Sequence, residues 1–500
     1  MVTYSLKPLL FGISINLIHN GEIIMKALLF VAGLFVATWS SKAGLEVGFT
    51  SDALESLKKD ALPSVLHKIG NIQIPEQQAT VGKDYYKTKI KVYNIVVSGI
   101  DADIDSSEIQ FKPDHEFAVK INGITAKANF QYHYDVDSIE SGGGSGDIDI
   151  SDTNADAVVE VTESKGKPVV GIESSNVTLG KLDIKFGNDP LGYIANFLIS
   201  LFKQKLTGTL EQEINKAIKN SGQKAIDKAL STLPIYISFG GIPLAVDYSL
   251  PSDPLVRSDY VQASAAGIFL DTDHPNYSPP VSPPVDLPGF NANGKQIQVM
   301  LTDYTLNTGL YACYKVGIIN YNVTSSVIPS KYPVHLDTTS LSIPIPGLEK
   351  KYGAGKPCNL WCYASEQPSI KSTSGEIQGN IEVNCEVQVE GVYKVATFGN
   401  SIDFSASAVL KDWVVSGSLK KAEIQSIKVV DNPIGSNIDA KALKNFFDLI
   451  LKVVVPILDV IVLDQGIPLP KIKQVDLSNS EVTIQEGYLF IGATPVWHFD

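Results

Sequence analysis

Arginine is nearly missing from this chain: Arg257 is the single one among 500 residues, and every other strongly basic side chain is a lysine. The planar guanidinium fork is what grips phosphate or carboxylate at two points, so clamps of that kind are excluded. Positive charge is short overall, with a formal net charge of -13. That balance excludes the basic footprint a nucleic-acid partner requires, and it disfavours general attraction to anionic membranes. Catalytic signatures are absent too: no Gly-x-Ser-x-Gly elbow, no His-Glu-x-x-His and no Walker loop. Gly353-Ala354-Gly355-Lys356 is followed by Pro357 and reads as a turn. Asp101, Asp103 and Asp105 lack the glycine and terminal glutamate of a calcium loop. No enzyme activity, metal site or cofactor is expected.

Cysteine is scarce, and the four present, Cys313, Cys358, Cys362 and Cys385, all lie in the second half. Two disulfides are expected, with all three pairings open. The Cys358-x-x-x-Cys362 spacing has no histidine nearby to suggest zinc. The expectation of an oxidising compartment comes from Met25 onward. Lys26 supplies a positive start, Ala27 to Ala37 an apolar stretch, and Ser41-Lys42-Ala43 a small-x-small cleavage site. Residues 1–43 therefore read as leader and secretory signal, and the protein as secreted or lumenal. Three glycosylation sequons, at Asn176, Asn276 and Asn322, suit that location.

What is present is apolar periodicity. Hydrophobic residues make up 44% and charged ones 19%, which fits packed cores with much β-structure. The segment Asn432–Pro470 carries Leu443, Phe446, Phe447, Ile450, Val454, Ile457, Leu458 and Ile461 at three- and four-residue steps, the mark of a helix with one continuous apolar face. Its apolar run is about fifteen residues, short of the roughly twenty a bilayer needs, and Lys452, Pro456 and Asp459 break it. A second such helix is expected from about Asp189 to Leu233, with Leu191, Ile194, Leu198, Leu201, Leu206 and Leu210 in its stripe. A third opens the mature chain, with Leu54, Leu57, Ala61, Val65 and Ile69 as its stripe, Thr50 or Ser51 as cap and Pro63 as its kink or first break. Alternating segments from about Lys87 to Phe186, and again to about Val430, read as strands. Ser141–Gly146, SGGGSG, reads as a flexible strand connection at a surface tip. The proline-dense stretch from His274 to Pro288 reads as a stiff linker. The expected division is 44–273, a linker at 274–290, and 291–500. Each half repeats one layout: short helix, strands, long apolar-faced helix, closing strand material.

Several segments carry a resemblance. They are Val455-Pro456-Ile457-Leu458, Gly466-Ile467-Pro468-Leu469-Pro470, Leu489-Phe490-Ile491-Gly492-Ala493, and the opening of the second half, Leu301-Thr302-Asp303-Tyr304 with Asn307-Thr308. With Ile72-Gln73-Ile74-Pro75 and Leu233-Pro234, they make the chain resemble the tubular lipid-binding family. That family includes bactericidal/permeability-increasing protein, lipopolysaccharide-binding protein and the plasma phospholipid and cholesteryl ester transfer proteins. The resemblance covers roughly Gly44 to Trp497. It implies an α+β fold shaped as a boomerang: two elongated barrel-like domains, each a twisted antiparallel sheet wrapped around a long helix, joined by a central sheet. It also implies a monomer that binds one phospholipid or similar acyl lipid in an apolar pocket of each half.

Pocket candidates follow from the helical stripes. In the first half they are Leu54, Leu57, Val65, Ile69, Ile194, Leu198, Leu201 and Phe202. In the second they are Leu306, Leu310, Phe446, Phe447, Ile450, Val454 and Ile457. Spacing alone does not separate lipid contact from ordinary core packing at any of them. The chain departs from the family in two ways. No cysteine stands near Ser174-Ser175 or Gln212, where the family carries a strand-to-helix disulfide. The hairpin stretch Lys127–Gly146, basic in members that recognise lipopolysaccharide, here carries Asp135, Asp137 and Glu140. The alternative reading is an antibacterial protein that binds lipopolysaccharide on the same scaffold. It rests on Lys203, Lys205, Lys216, Lys219, Lys224 and Lys228, which equally suit a solvated helix face.

Overall fold

In the strand Leu45–Thr50, Leu45, Val47 and Phe49 alternate with Glu46, Gly48 and Thr50, which gives it one apolar face. The strand pairs on one side with Tyr260–Ala265 and on the other with Ile297–Thr302, antiparallel to both. Val47 lies opposite Ala263 and Val299, so the apolar face continues across all three strands. Tyr488–Ala493 and Glu481–Gln485 extend the sheet at one edge, and Leu255–Val256 closes the other. This central six-stranded sheet thus takes strands from both halves of the chain. The computed structural model describes residues 43–498 apart from 69–71, 82–86, 114, 138, 188–191, most of 202–232, 275–277, 292, 329–331, 333–334, 436, 459–465, 472–474 and 478. Of the leader and signal expected over 1–43, residues 1–42 lie outside the described residues.

Each half carries its own antiparallel sheet. In the first, the strands Thr88–Lys112, Glu116–Val136, Glu140–Ser164 and Lys167–Thr178 follow one another as a meander. Register shifts between Tyr93 and Glu108 bend the long opening pair. The helix Gly192–Leu201 lays Ile194 and Leu198 against Ile90, Ile95, Phe130 and Ile148. In the second, Cys358–Ala364, Glu376–Val389, Tyr393–Lys411 and Val414–Asp431 form the meander. The helix Ala440–Leu458 packs Leu443, Phe447, Ile450 and Val454 against Leu360, Val387 and Phe398. A third cluster of buried apolar residues lies on the central sheet. The fold is α+β, two twisted sheets each carrying a helix and joined by the central sheet. No described sheet closes on itself as a barrel.

Three local expectations need correction. Ser141–Gly146 is part of a strand, not a connection: Gly142, Gly144 and Gly146 lie opposite Tyr134, Tyr132 and Phe130. The glycines make room for those rings. A β-carbon on Gly144 would sit 2.8 Å from the Tyr132 hydroxyl, and one on Gly146 would meet the Phe130 ring. The first helix, Ser51–Lys68, starts at the expected cap, where Thr50 Oγ1 accepts from the Ala53 amide at 3.4 Å, but Pro63 does not break it. The N–H that proline lacks would have served the carbonyl of Lys59, an exposed residue that water can satisfy. Finally, one disulfide forms rather than two. Cys362 and Cys385 stand directly opposite on neighbouring strands and are bonded, while Cys313 and Cys358 are free thiols.

Among the described residues, the proline-dense stretch forms no helix or strand and packs on the rear of the central sheet. Pro279, Pro284 and Phe290 are buried. The Phe290 ring occupies the space above Gly48, where a β-carbon would come within 2.5 Å of it.

Candidate functional site

An apolar cavity of roughly 110 Å³ opens against the apolar face of the central sheet. Leu45, Val47 and Phe49 form its floor with Ile297 and Val299, and the short side chains of Ala263 and Ala265 leave the space. Leu233-Pro234-Ile235 and Tyr248 wall it from the first half, and Trp413, Leu469 and Pro470 from the second. Both walls with polar atoms have them engaged elsewhere. Tyr248 Oη donates to the Pro468 carbonyl at 2.8 Å, and Trp413 Nε1 donates to the Val475 carbonyl at 3.2 Å. Burial pushes the Tyr248 phenol well above its ordinary range, so it stays neutral. A cavity lined almost wholly by apolar surface, with its side-chain donors engaged elsewhere, suits hydrocarbon better than water.

Trp413 reaches this place through a tight hairpin. Asp412 and Trp413 join the strands Tyr393–Lys411 and Val414–Asp431 with φ of 47° and 64°. Positive φ at both positions matches the twist of a two-residue hairpin, a turn that usually selects Asn-Gly. The conformation is held from outside. The Leu469 amide donates to the Trp413 carbonyl at 2.7 Å, and Lys471 Nζ lies 2.6 Å from Asp412 Oδ1. The Gly466–Pro470 segment therefore anchors the turn as well as lining the cavity.

The joint beside the cavity is stitched by the second-half opening motif. Thr302 and Thr305 hydroxyls both donate to the Gly44 carbonyl, at 2.8 and 2.9 Å. Thr308 Oγ1 accepts from the Phe269 amide at 3.1 Å. Asn307, on the helix Asp303–Val316, grips the strand Ser369–Thr373: its Oδ1 accepts from the Ile370 amide and its Nδ2 donates to the Ile370 carbonyl, at 2.9 and 3.0 Å. Gln223 does the same for the edge strand Lys167–Thr178. Its Oε1 accepts from Ile172 N–H at 3.0 Å and its Nε2 donates to the Val170 carbonyl at 2.7 Å. Glu211 accepts from the Leu179 amide at 2.9 Å. These side chains tie strand to helical segment in the region where the resemblance implied a missing disulfide.

The candidate residues fall into three places rather than two. Leu54 and Leu57 are buried in the central cluster, and Leu306 packs against it, with Leu310 half-buried on the same helix. Ile194 and Leu198 belong to the first-half cluster. Phe447, Ile450 and Val454 belong to the second-half cluster, with Phe446 half-buried beside Phe447 at a ring distance of 5.3 Å. Ile69, Phe202 and the side chains of Val65, Leu201 and Ile457 lie outside the described residues. Among the lysines of the second helical region, Lys203, Lys219 and Lys224 are exposed. Asn176 and Asn322 are exposed and Asn276 lies outside the described residues. The helical stripes do not point to Tyr248, Trp413 or the strand face of Leu45, Val47 and Phe49. The available signal was the two-residue break between alternating runs at Asp412-Trp413.

The free thiols are inert by position. Burial pushes Cys313 up to about 11 and Cys358 up to about 12, so neither forms a nucleophilic thiolate at neutral pH. Iodoacetamide labelling of the native protein, read by mass, is expected to leave both unmodified. Unfolding without reductant should expose two reactive thiols and unfolding with reductant four; labelling of the native form would contradict this placement. No group of His, Cys, Asp or Glu able to hold a metal occurs among the described residues, and no described helix is long and apolar enough to cross a membrane.

Comparison with known proteins settles the family. Residues 53–233 match the LBP / BPI / CETP family, N-terminal domain, and residues 242–496 match the C-terminal domain of the same family. The chain belongs to the LBP / BPI / CETP family. Its members are not enzymes, and neither is this chain. It is 22% identical to bactericidal permeability-increasing protein of Sebastes schlegelii, over 93% of this chain and 97% of that protein. It is equally 22% identical to lipopolysaccharide-binding protein of Bos taurus, over 90% and 92%, and to phospholipid transfer protein of Mus musculus, over 62% and 61%. The crystal structure of lipopolysaccharide binding protein superposes with a TM-score of 0.62 at 18% identity, covering 92% of this chain and all of that one, which establishes the shared fold.

Proposed function

We propose that this family member is a secreted, monomeric lipid-binding and lipid-transfer protein that holds phospholipid-like molecules by their acyl chains, one in each half. The halves are 44–273 and 291–500, with 274–290 as the linker. The observation that carries the reading is the apolar cavity at the seam, whose polar side-chain atoms are engaged elsewhere. Acyl chains gain roughly 0.8 kcal/mol per buried CH₂ in such surroundings. Lipopolysaccharide recognition finds no support at the outer hairpin, where Asp135, Asp137 and Glu140 would repel lipid phosphate. The test is transfer of a fluorescent phospholipid between zwitterionic vesicles, with lipopolysaccharide as competitor. Transfer that lipopolysaccharide leaves unchanged is the expected result. Binding to lipopolysaccharide alone would overturn the reading.

A further inference from the structure

The two ends of the molecule differ in chemistry. The turn at Asp412-Trp413 lies in the central cluster, and the 19-residue strand Tyr393–Lys411 runs outward from it for about 60 Å. Its far end is the hairpin Glu390–Tyr393. In the first half Phe117 lies in the same central cluster, so the strand Glu116–Val136 runs outward to the tip that carries Asp137 and Ile139. That first tip exposes Ile139, 74% accessible, among Asp135, Asp137 and Glu140, with Lys87 and Lys89 alongside.

The second tip exposes Val392 at 74% and Tyr393 at 53%. The Tyr393 ring lies 5.9 Å from that of Tyr352, which fixes the short helix Leu348–Tyr352 beside the hairpin. Lys350 and Lys351 on that helix are exposed beside half-buried Glu349, and neither forms an ion pair with a carboxylate among the described residues. Lys351 Nζ sits 5.6 Å from the centre of the Tyr352 ring. The neighbouring Lys356 and Lys394 are already paired, with Glu390 and Glu386.

We infer that the outer tip of the second half, Val392 and Tyr393 with Lys350 and Lys351, docks on the surface of an anionic lipid bilayer. This rests on the lipid-binding reading above. A hairpin tip is too narrow for a stable protein interface, which needs about 800 Å² on each partner. A lipid surface needs only a few apolar side chains, a tyrosine at headgroup depth and cations whose stems reach past them. The chain's net charge of -13 opposes general contact with anionic lipid, so the unpaired lysines at one end also set the orientation.

Flotation of the full chain with phosphatidylcholine vesicles, and with vesicles containing phosphatidylglycerol as well, tests this. Wild type is expected to float better with the mixed vesicles. The single variant Val392→Asp, which leaves the Tyr393–Tyr352 ring contact in place, should lose about tenfold in binding to both, because an exposed apolar anchor becomes charged. Lys350→Glu with Lys351→Glu should abolish the preference for mixed vesicles and spare binding to phosphatidylcholine. Ile139→Asp, at the other tip, should behave as wild type. Unchanged binding by the hairpin variant, or an equal loss in Ile139→Asp, overturns the docking. Organic extraction of the same preparations separates the two readings. Lipid retained by a wild type that touches no vesicle rejects the docking alone, and lipid absent throughout rejects the lipid-binding reading itself.

Discussion

Trp413→Ala is expected to destabilise the protein by about 3–5 kcal/mol, the range for removing a buried large aromatic side chain. The indole is 8% exposed and belongs to the central cluster, so its loss leaves a void continuous with the existing cavity. It also leaves the Val475 carbonyl without its donor. A second substitution separates ring loss from backbone effect. Trp413 sits at φ 64°, where a β-carbon is strained by roughly 1–2 kcal/mol and glycine is not. Trp413→Gly should therefore be the less damaging of the two, the reverse of the usual order within sheets. Urea unfolding followed by circular dichroism measures both. A cost below about 1 kcal/mol for alanine, or glycine worse than alanine, would contradict the account of the seam.

Gly146→Ala should cost about 1–3 kcal/mol, although alanine ordinarily improves a strand glycine. The added carbon would meet the Phe130 ring and come within 2.6 Å of the Lys185 carbonyl, a backbone atom that cannot turn aside. Phe130 is itself locked, with Phe186 6.0 Å and Tyr132 6.3 Å away. Gly171, in the edge strand of the same sheet, provides the control: nothing lies within 4 Å of its missing β-carbon. Gly171→Ala is expected to be neutral or to stabilise by up to about 1 kcal/mol. Equal effects at the two positions would mean that the glycine run does not exist to seat the aromatic rings.

The helix Ala440–Leu458 was legible because its signal is local: a 3.6-residue apolar period survives in any context. The strands opening and closing the second half were legible for the same reason. The glycine run was misread because glycine density marks both flexible connections and strands crossed by aromatic rings. Only the register, which sets Gly146 opposite Phe130, tells them apart. Spacing left the cysteine pairing open and suggested two disulfides where one forms, since Cys362 meets Cys385 through strand register. The seam cavity was out of reach for a deeper reason. Its lining spans Leu45 to Pro470, so it exists only after the two halves have paired in the central sheet. The Thr302, Asp303 and Asn307 motif was recognisable as a pattern, but its work of binding Gly44, Ser372 and Ile370 becomes visible only in three dimensions.

The central claim is that apolar space in this molecule is filled by lipid acyl chains. Native mass spectrometry of protein purified from its own host, followed by organic extraction, tests it most directly. The account predicts a mass excess equal to two phospholipid-sized ligands that extraction removes and identifies. A protein at its bare polypeptide and glycan mass, with no extractable lipid, would contradict it.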